Sequence, residues 1–292
     1  MPLKAIFNGY FRSGTTYIWY TLKKFNPDKL VFYEPLNPNL FIYIQNEKGE
    51  KNSLHGKYLW KEYLQMDNAF LQKLRINHPN LQHRTEIPRN YKILLDYLEV
   101  FNSINRDVIL QTNRLHFYYK IIAEKYNIPI FHIIRDPIEV YLSLINTRYH
   151  NFPFFNKIIY NTNPFNIKDI AVYIYMYYGI PYYLNANRIK EFFYFHNRKK
   201  MFLVTWIICN YEAIKFLEDI NSLETLINYN KMLYDKSFIN CLEKYNIKFE
   251  ILSFRKKYIE SKLYKSLQRD FEKLAQELDL KEKYFYILDK CF

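Results

Sequence analysis

Residues 9–16, GYFRSGTT, place a cation, three aliphatic hydroxyls and two of the chain's five glycines in one short segment. A guanidinium and hydroxyl groups can donate hydrogen bonds to anionic oxygens, and glycine lets the backbone approach a ligand closely. The residues that can bind an anion here are Arg12, Ser13, Gly14, Thr15 and Thr16. The segment therefore predicts a phosphate-binding loop.

The two glycines of this segment have the G-x-x-x-x-G spacing of the phosphate loop of nucleotide triphosphatases. The lysine that follows the second glycine in those loops is missing. Thr15 stands in its place, and the cation lies upstream at Arg12. Because the segment contains no feature that requires magnesium, we expect no metal ion at this site.

A second run, IIRDPIEVYLS at residues 133–143, predicts a buried strand followed by a helix. Arg135 at the end of the strand can form a forked pair with a phosphate. We expect Asp136 to cap the helix and Glu139 to be the reciprocal acid of a capping box. Ser143 lies two turns along the helix, so its hydroxyl can return towards the same ligand.

With both runs in this order, the chain resembles the family of PAPS-dependent sulfotransferases. Members transfer a sulfuryl group from 3′-phosphoadenosine 5′-phosphosulfate (PAPS) to a hydroxyl acceptor and release the 3′,5′-bisphosphate PAP. Their 5′-phosphosulfate loop reads K/R-S-G-T/S-T/S, and their R-D-P strand end, with a Ser eight residues after the Arg, binds the 3′-phosphate. The resemblance implies that residues 12–16 bind the 5′-phosphosulfate and that Arg135 and Ser143 bind the 3′-phosphate. Trp206 and Asn210 match the family's W-x-x-x-N helix, whereas Asn230 stands where its next strand carries an acid.

The acceptor hydroxyl must lose a proton, so the site needs a base. Small-molecule members of the family carry a catalytic His in a K-T-H strand end, but this strand reads LQTNRL, with Asn113 in that position. Carbohydrate and tyrosyl-protein sulfotransferases resemble the chain at VFYEPLN, where a Glu precedes a Pro. The resemblance implies Glu34 as general base and Arg12 as the cation on the leaving group. The alternative for Glu34 is a structural role, as the cap of a loop or as the ion-pair partner of Arg12 or Arg114. His116, three residues past Asn113, is the reserve candidate.

Further basic residues can complete the site. Arg114 follows LQTN, and its family counterpart lies near the active site, where it can orient the acceptor or neutralise charge. The late basic residues Arg255, Lys256 and Lys257 can close over the 3′-phosphate, as such residues often do in the family. A solvated basic loop is an equally good interpretation of these three residues.

The elements that must position these residues alternate along the chain. Strand patterns at residues 3–7, 29–33, 107–113 and 128–134 alternate with helical patterns, and this order favours a parallel sheet with right-handed crossovers. The prediction is a three-layer α/β fold with a central parallel sheet, a P-loop-like 5′-phosphosulfate loop and a helical C-terminal part. We expect one sulfotransferase domain over residues 1–292, with an insertion or lid at about 37–90. The aromatic stretch at residues 150–200 is interpreted as core or as an acceptor wall.

The composition of the chain indicates which partners and which cellular compartment to expect. The net charge of +13 suits a polyanionic partner or a solvated Lys-rich surface, but no basic block predicts nucleic-acid binding. Three widely spaced cysteines without a CxxC pair predict neither disulfides nor zinc. No signal peptide or long apolar run is found, so we expect a cytoplasmic protein without a membrane span.

Two other functions stay open at this stage. A nucleotide kinase or triphosphatase with a degenerate phosphate loop is disfavoured by the missing lysine and by the lack of an acidic strand end for Mg²⁺. A basic nucleic-acid-binding protein is permitted by the charge, but it leaves both motifs unexplained. For a sulfotransferase, the acceptor is expected to be a glycan or a protein tyrosine, with a lipid head group as a further option.

Overall fold

A computed structural model gives the fold. It describes residues 1–37, 39–46, 58–79, 91–151, 198–232, 234, 236–252 and 262–292. The stretch 152–197 and residues 253–261, which include Arg255, Lys256 and Lys257, lie outside the described residues. So do most of the predicted acceptor wall at 150–200 and parts of the insertion at 37–90.

The centre of the fold is a five-stranded sheet in which every strand pair is parallel. The strands are β1 (Leu3–Gly9), β2 (Leu30–Tyr33), β3 (Val108–Thr112), β4 (Ile130–Ile134) and β5 (Leu226–Asn228), and their order in the sheet is β2-β3-β1-β4-β5. Strands β2, β3 and β4 are buried at every position, as expected for apolar runs covered on both faces. The predicted parallel α/β sheet is confirmed.

Helices lie on both sides of the sheet, and the C-terminal part is helical, as predicted. The helices of the described residues are α1 (Thr15–Phe25), α2 (Leu40–Asn46), α3 (Lys61–Leu64), α4 (Asn68–Asn77), α5 (Tyr91–Asn102), α6 (Tyr119–Tyr126), α7 (Pro137–Asn151), α8 (Arg198–Asp219), α9 (Ser237–Lys244), α10 (Lys262–Glu277) and α11 (Lys281–Cys291). Helices α2 to α4 follow β2 and lie in the predicted insertion. None of the helices in the described ranges is long and apolar enough to cross a membrane.

The start of α7 confirms half of the predicted cap. The Asp136 carboxylate accepts hydrogen bonds from the backbone N–H groups of Ile138 and Glu139, both at 2.9 Å. The reciprocal half is wrong. The N–H of Asp136 donates instead to the side-chain oxygen of Asn230, and the Glu139 carboxylate pairs with Arg135 at 2.9 Å. The charged side chain of Arg135, directly before the cap residue, replaces the capping interaction of Glu139.

A buried polar chain runs through the core beneath the residue 9–16 segment. The Asn8 amide donates to the Tyr119 hydroxyl, which bonds to Nδ1 of His132, both at 2.8 Å. His132 Nε2 bonds to the Asn210 side-chain oxygen at 2.9 Å, and the Asn210 amide donates to the Trp206 carbonyl. If His132 carries its proton on Nε2, every donor meets an acceptor. Such a fully paired network fixes strand β1 against β4, α6 and α8.

Candidate functional site

A cleft of about 430 Å³ opens where the strands of the sheet end. Each strand is followed by a residue that lines it: Arg12 after β1, Glu34 after β2, Asn113 after β3, Arg135 after β4 and Tyr229 after β5. In open α/β sheets, ligands bind outside the carboxyl ends of the strands, and a cleft of this volume suits a small ligand or cofactor. The position of the cleft makes it the candidate site.

The loop between β1 and α1 needs glycine at both of its glycine positions. Gly14 has φ +94°, the left-handed conformation that favours glycine, and an added Cβ would lie 2.2 Å from the Tyr229 ring. A Cβ on Gly9 would lie 2.6 Å from the carbonyl oxygen of Ile133. The loop is closed by a hydrogen bond from the Ser13 N–H to the Tyr10 carbonyl at 3.1 Å. The start of α1, with its outward N–H groups, thereby faces the cleft.

Arg12 connects the loop to both elements of the second motif. Its Nε donates to the Ser143 hydroxyl at 3.1 Å, and its carbonyl accepts from Arg135 Nη1 at 3.2 Å. Burial lowers the pKa of Arg12, and the nearby Arg135 guanidinium lowers it further, while Tyr33 and Tyr229 act in the opposite direction. Within the described residues Arg12 forms no ion pair, so an anion in the cleft would relieve the repulsion between the two guanidinium groups.

Arg135 is held on two sides. Its Nε pairs with the Glu139 carboxylate at 2.9 Å, and its guanidinium lies over the Tyr229 ring, 5.0 Å from the centroid. The Tyr229 ring meets the Tyr17 ring edge-on, with the centroids 6.0 Å apart. The cation therefore has a fixed direction, and aromatic surface from Tyr17 and Tyr229 lies next to it.

Glu34 lies at the opposite part of the cleft and has a fully determined orientation. Its Oε1 accepts from the Asn113 amide at 3.0 Å, and its Oε2 accepts from the Asn37 amide at 2.8 Å and from Arg114 Nη1 at 3.2 Å. The residue is 8% exposed, and its exposed part faces the cleft. The Arg114 guanidinium also lies 5.3 Å from the centroid of the Phe11 ring, which lines the same cleft.

Two residues of this site have a backbone conformation that their type disfavours. In the described ranges, six residues other than glycine have positive φ, and four of them are Asn or Asp, which tolerate it. The other two are Arg12, at φ 67°, and Glu34, at φ 39°. Strained backbone of this kind is concentrated at functional sites, because it persists only where the surrounding structure enforces it.

The structure brings most of the predicted site residues to one cleft. Those that line it are Arg12, Gly14, Thr15, Thr16, Glu34, Arg135 and Ser143. Ser13, within the loop, is fully buried and does not line the cleft, and Arg114 contacts the lining residue Glu34. His116 does not line the cleft; it is 2% exposed and packs against the His132 ring at 5.6 Å. Burial, and then His132, hold the pKa of His116 well below its usual value.

Sequence reasoning missed the aromatic residues of the cleft and the amide partners of Glu34, whereas the pairing of Glu34 with Arg114 was one of its alternatives. The aromatic ones are Phe11, Tyr17, Trp19, Tyr20, Tyr33 and Tyr229. In a chain with 30 tyrosines and 24 phenylalanines, an aromatic residue beside a motif is a weak signal. The adjacency of Tyr33 to Glu34 and of Tyr17 to Thr16 was the available clue. Among the described residues, no group of three His, Cys, Asp or Glu side chains is placed to hold a metal ion.

Comparison with known proteins adds one relative. No family model matches the chain, and no solved structure matches it. An uncharacterized protein from Archaeoglobus fulgidus is 33% identical over 145 residues, which are 48% of this chain and 47% of the relative. The match therefore spans about half the length of the relative. The class that the fold itself defines is an α/β protein with an all-parallel sheet and a polar cleft at the carboxyl ends of its strands.

Proposed function

We propose that the chain is a PAPS-dependent sulfotransferase of the carbohydrate or tyrosyl-protein type. The observation that carries this proposal is the hydrogen bond between Arg12 and Ser143, which joins the two nucleotide motifs at one cleft. Because β1 and β4 are neighbours, their two following segments meet in any case, but an accidental RSGTT would not require the Arg12 side chain to bond to Ser143. The strained backbone at Arg12 and Glu34 supports the same site independently.

In the proposed binding mode, the two anionic groups of the donor contact different sets of residues. The 5′-phosphosulfate lies on the N–H groups at the start of α1, where the helix dipole favours negative charge and Thr15 and Thr16 add hydroxyl donors. The 3′-phosphate lies between Arg135 and Ser143. The aromatic surface of Tyr17 and Tyr229, beside Arg135, receives the adenine base.

The chemistry is an in-line displacement at sulfur. The acceptor oxygen forms a new bond to sulfur, and the bond between sulfur and the bridging phosphate oxygen breaks, so that PAP leaves with the electron pair. The acceptor proton passes to the Glu34 carboxylate, which Asn113, Asn37 and Arg114 hold in a fixed orientation. Arg12 neutralises the charge that develops on the leaving phosphate oxygen. No step requires a metal ion.

Glu34 is the better base on geometric grounds. It lines the cleft, whereas His116 is 2% exposed and lies outside the lining. The acceptor supplies a hydroxyl group, with a glycan or a protein tyrosine favoured and a lipid head group as a further option. Aromatic rings such as Phe11 and Tyr20 give the cleft flat walls that suit a sugar or a phenol.

The proposed compartment is the cytoplasm. Cys209, Cys241 and Cys291 are all free and buried, as expected of a protein from a reducing environment.

Nucleotide binding tests the proposal most directly. We expect PAP to raise the melting temperature more than ADP, because only PAP carries the 3′-phosphate for Arg135 and Ser143. Incubation with radiolabelled PAPS and a panel of glycan, tyrosine-peptide and phenol acceptors then identifies the product. Stabilisation by ATP with Mg²⁺ but not by PAP would contradict the proposal and favour a nucleotide kinase or triphosphatase. Stabilisation only by oligonucleotides would favour the nucleic-acid-binding alternative.

A further inference from the structure

The hydroxyls of Tyr33 and Thr16 form a pair inside the cleft. Their oxygens are 2.9 Å apart, and both residues line the cleft. Tyr33 is the last residue of β2 and directly precedes Glu34, while Thr16 is the second residue of α1. The pair is therefore a direct contact between the phosphate loop and the strand end that carries the carboxylate.

The Tyr33 ring has little freedom to move. Trp19 and Trp60 meet it edge-on from two sides, each with its ring centroid 5.2 Å away, and the residue is 7% exposed. Trp19 is itself anchored by a hydrogen bond from its indole N–H to the Val31 carbonyl at 2.9 Å. The Tyr63 hydroxyl donates to the Tyr33 carbonyl at 3.1 Å. These contacts fix the direction of the phenol oxygen, and a Phe ring would pack equally well, so packing alone does not account for the hydroxyl.

The hydrogens of the pair can be counted. Burial, and then the neighbouring Glu34, raise the pKa of Tyr33 well above its usual value, so the phenol keeps its proton. Two hydroxyls carry two hydrogens, and the bond between them uses one. The second hydrogen goes to another acceptor, which is the neighbouring Glu34 carboxylate when Tyr33 supplies the hydrogen and a group in the cleft when Thr16 supplies it. An acceptor oxygen placed there would complete the pair.

We propose that Tyr33 and Thr16 form a donor relay in which Tyr33 orients the Thr16 hydroxyl towards an anionic oxygen of a phosphate or phosphosulfate group. Tyr33 is thus a positioning residue, and the class of ligand is a phosphoryl or sulfuryl oxyanion at the start of α1. Because Tyr33 precedes Glu34 in the chain, the relay also ties the position of the donor group to that of the base. The link to sulfuryl transfer rests on the proposed function, but the recognition of a phosphate oxyanion does not.

A double-mutant cycle tests the relay. The variants are Tyr33→Phe, Thr16→Val and the two combined, and the readout is the dissociation constant for PAP, ADP and inorganic pyrophosphate by titration calorimetry. We expect each single change to weaken binding of the best ligand about 3- to 10-fold, the value of one hydrogen bond. The double variant should bind no more weakly than the weaker single variant, since both changes break one relay. Thr16→Ser keeps a hydroxyl and should bind within about 2-fold of the wild type.

A matched control separates the relay from general effects of losing a buried phenol. Tyr126→Phe also removes a hydrogen-bonded hydroxyl, which donates to the Leu95 carbonyl at 2.9 Å outside the cleft, and should leave every affinity unchanged. Full additivity of Tyr33→Phe and Thr16→Val, or an unchanged affinity for Tyr33→Phe, would overturn the relay. A non-additive cycle measured with ADP, without any preference for PAP, would support the relay and refute the PAPS proposal. If the wild type binds none of the three ligands, both the relay and the PAPS proposal are overturned.

Discussion

Arg12 donates a hydrogen bond to Ser143 although 131 positions separate them in the chain. Arg12 belongs to the loop after β1, and Ser143 lies two turns along α7, beyond the end of β4. Strands β1 and β4 are neighbours in the sheet, so the loop that follows one and the helix that follows the other meet at the same edge. The contact makes Ser143 a shared element of the two proposed anion-binding motifs, and its removal should affect a ligand that bridges them.

The change Ser143→Ala is expected to weaken PAP binding about 3- to 10-fold, because one hydroxyl hydrogen bond to the ligand is lost. ADP lacks the 3′-phosphate, so its affinity should change less than 2-fold. Calorimetric titration with both nucleotides measures the difference. Ser103→Ala is the control, since the Ser103 hydroxyl donates to the Val100 carbonyl at 2.8 Å near the end of α5 and lies outside the cleft. An equal loss for PAP and ADP would assign Ser143 to the 5′ end instead.

The change Glu34→Gln should lower the turnover number about 10²- to 10⁴-fold, the usual contribution of a general base. The amide keeps the shape of the carboxylate, so PAP affinity should stay within about 3-fold of the wild type. Single-turnover assays with labelled PAPS measure the chemical step separately from product release. Glu99→Gln, an exposed acid on α5, is the matched control. Sulfated product at the wild-type rate would show that Glu34 is not the base.

Much of the scaffold could be predicted because its signals are local. Apolar runs define the strands, and the cap at Asp136 follows from residues within three positions of it. The amide that donates to Glu34 from Asn113 and the side chain that accepts from the Asp136 N–H could not be predicted in this way. Asn113, directly after β3, donates to Glu34 although 79 positions separate them in the chain. The Asn230 side chain accepts from the Asp136 N–H across 94 positions. Such contacts depend on strand order, which alternation of elements does not determine.

The prediction for Glu139 failed for an electrostatic reason. The capping-box pattern considers only the helix and its first turn, whereas Arg135 precedes the cap and offers a full positive charge. In the pair with Arg135 both partners are charged, whereas in the capping box only the carboxylate would be, and the Asn230 side chain satisfies the backbone N–H instead. The aromatic lining was missed for a different reason, since Tyr33 and Tyr229 become distinctive only when the fold places them beside Thr16 and Gly14.

The change Gly14→Ala should destabilise the fold and the loop together. The left-handed backbone at φ +94° costs an alanine about 1–2 kcal/mol, and the contact with the Tyr229 ring adds about 1–3 kcal/mol. Urea unfolding monitored by circular dichroism measures the loss. In a Tyr229→Ala background the steric contribution to the loss in free energy of unfolding should vanish, and only the contribution of the backbone conformation should remain. The same cost in both backgrounds would mean that the ring moves aside without penalty.

Stability should fall in mild acid because buried histidines resist protonation. Burial, with Arg114 beside it, lowers the pKa of His78 to about 4, and burial lowers that of His132 to about 4. The unfolded chain binds these protons near pH 6.5 and the folded chain does not, so the stabilisation is complete above that pH and is lost as the pH falls towards 4. Each histidine contributes a slope of about 1.4 kcal/mol per pH unit in that window. The raised pKa values of Asp136 and Glu62 act in the opposite direction at the acidic end.

A variant isolates one of these slopes. His78 is the less buried of the two, so His78→Asn is the substitution that the fold should tolerate better. Between about pH 6 and 4.5, the free energy of unfolding of His78→Asn should depend on pH less steeply than that of the wild type, by about 1 kcal/mol per pH unit. Urea titrations at several pH values measure both slopes. Identical slopes would mean that His78 titrates in the folded protein as it does in the unfolded chain, and that its surroundings near Arg114 are more hydrated than its burial indicates.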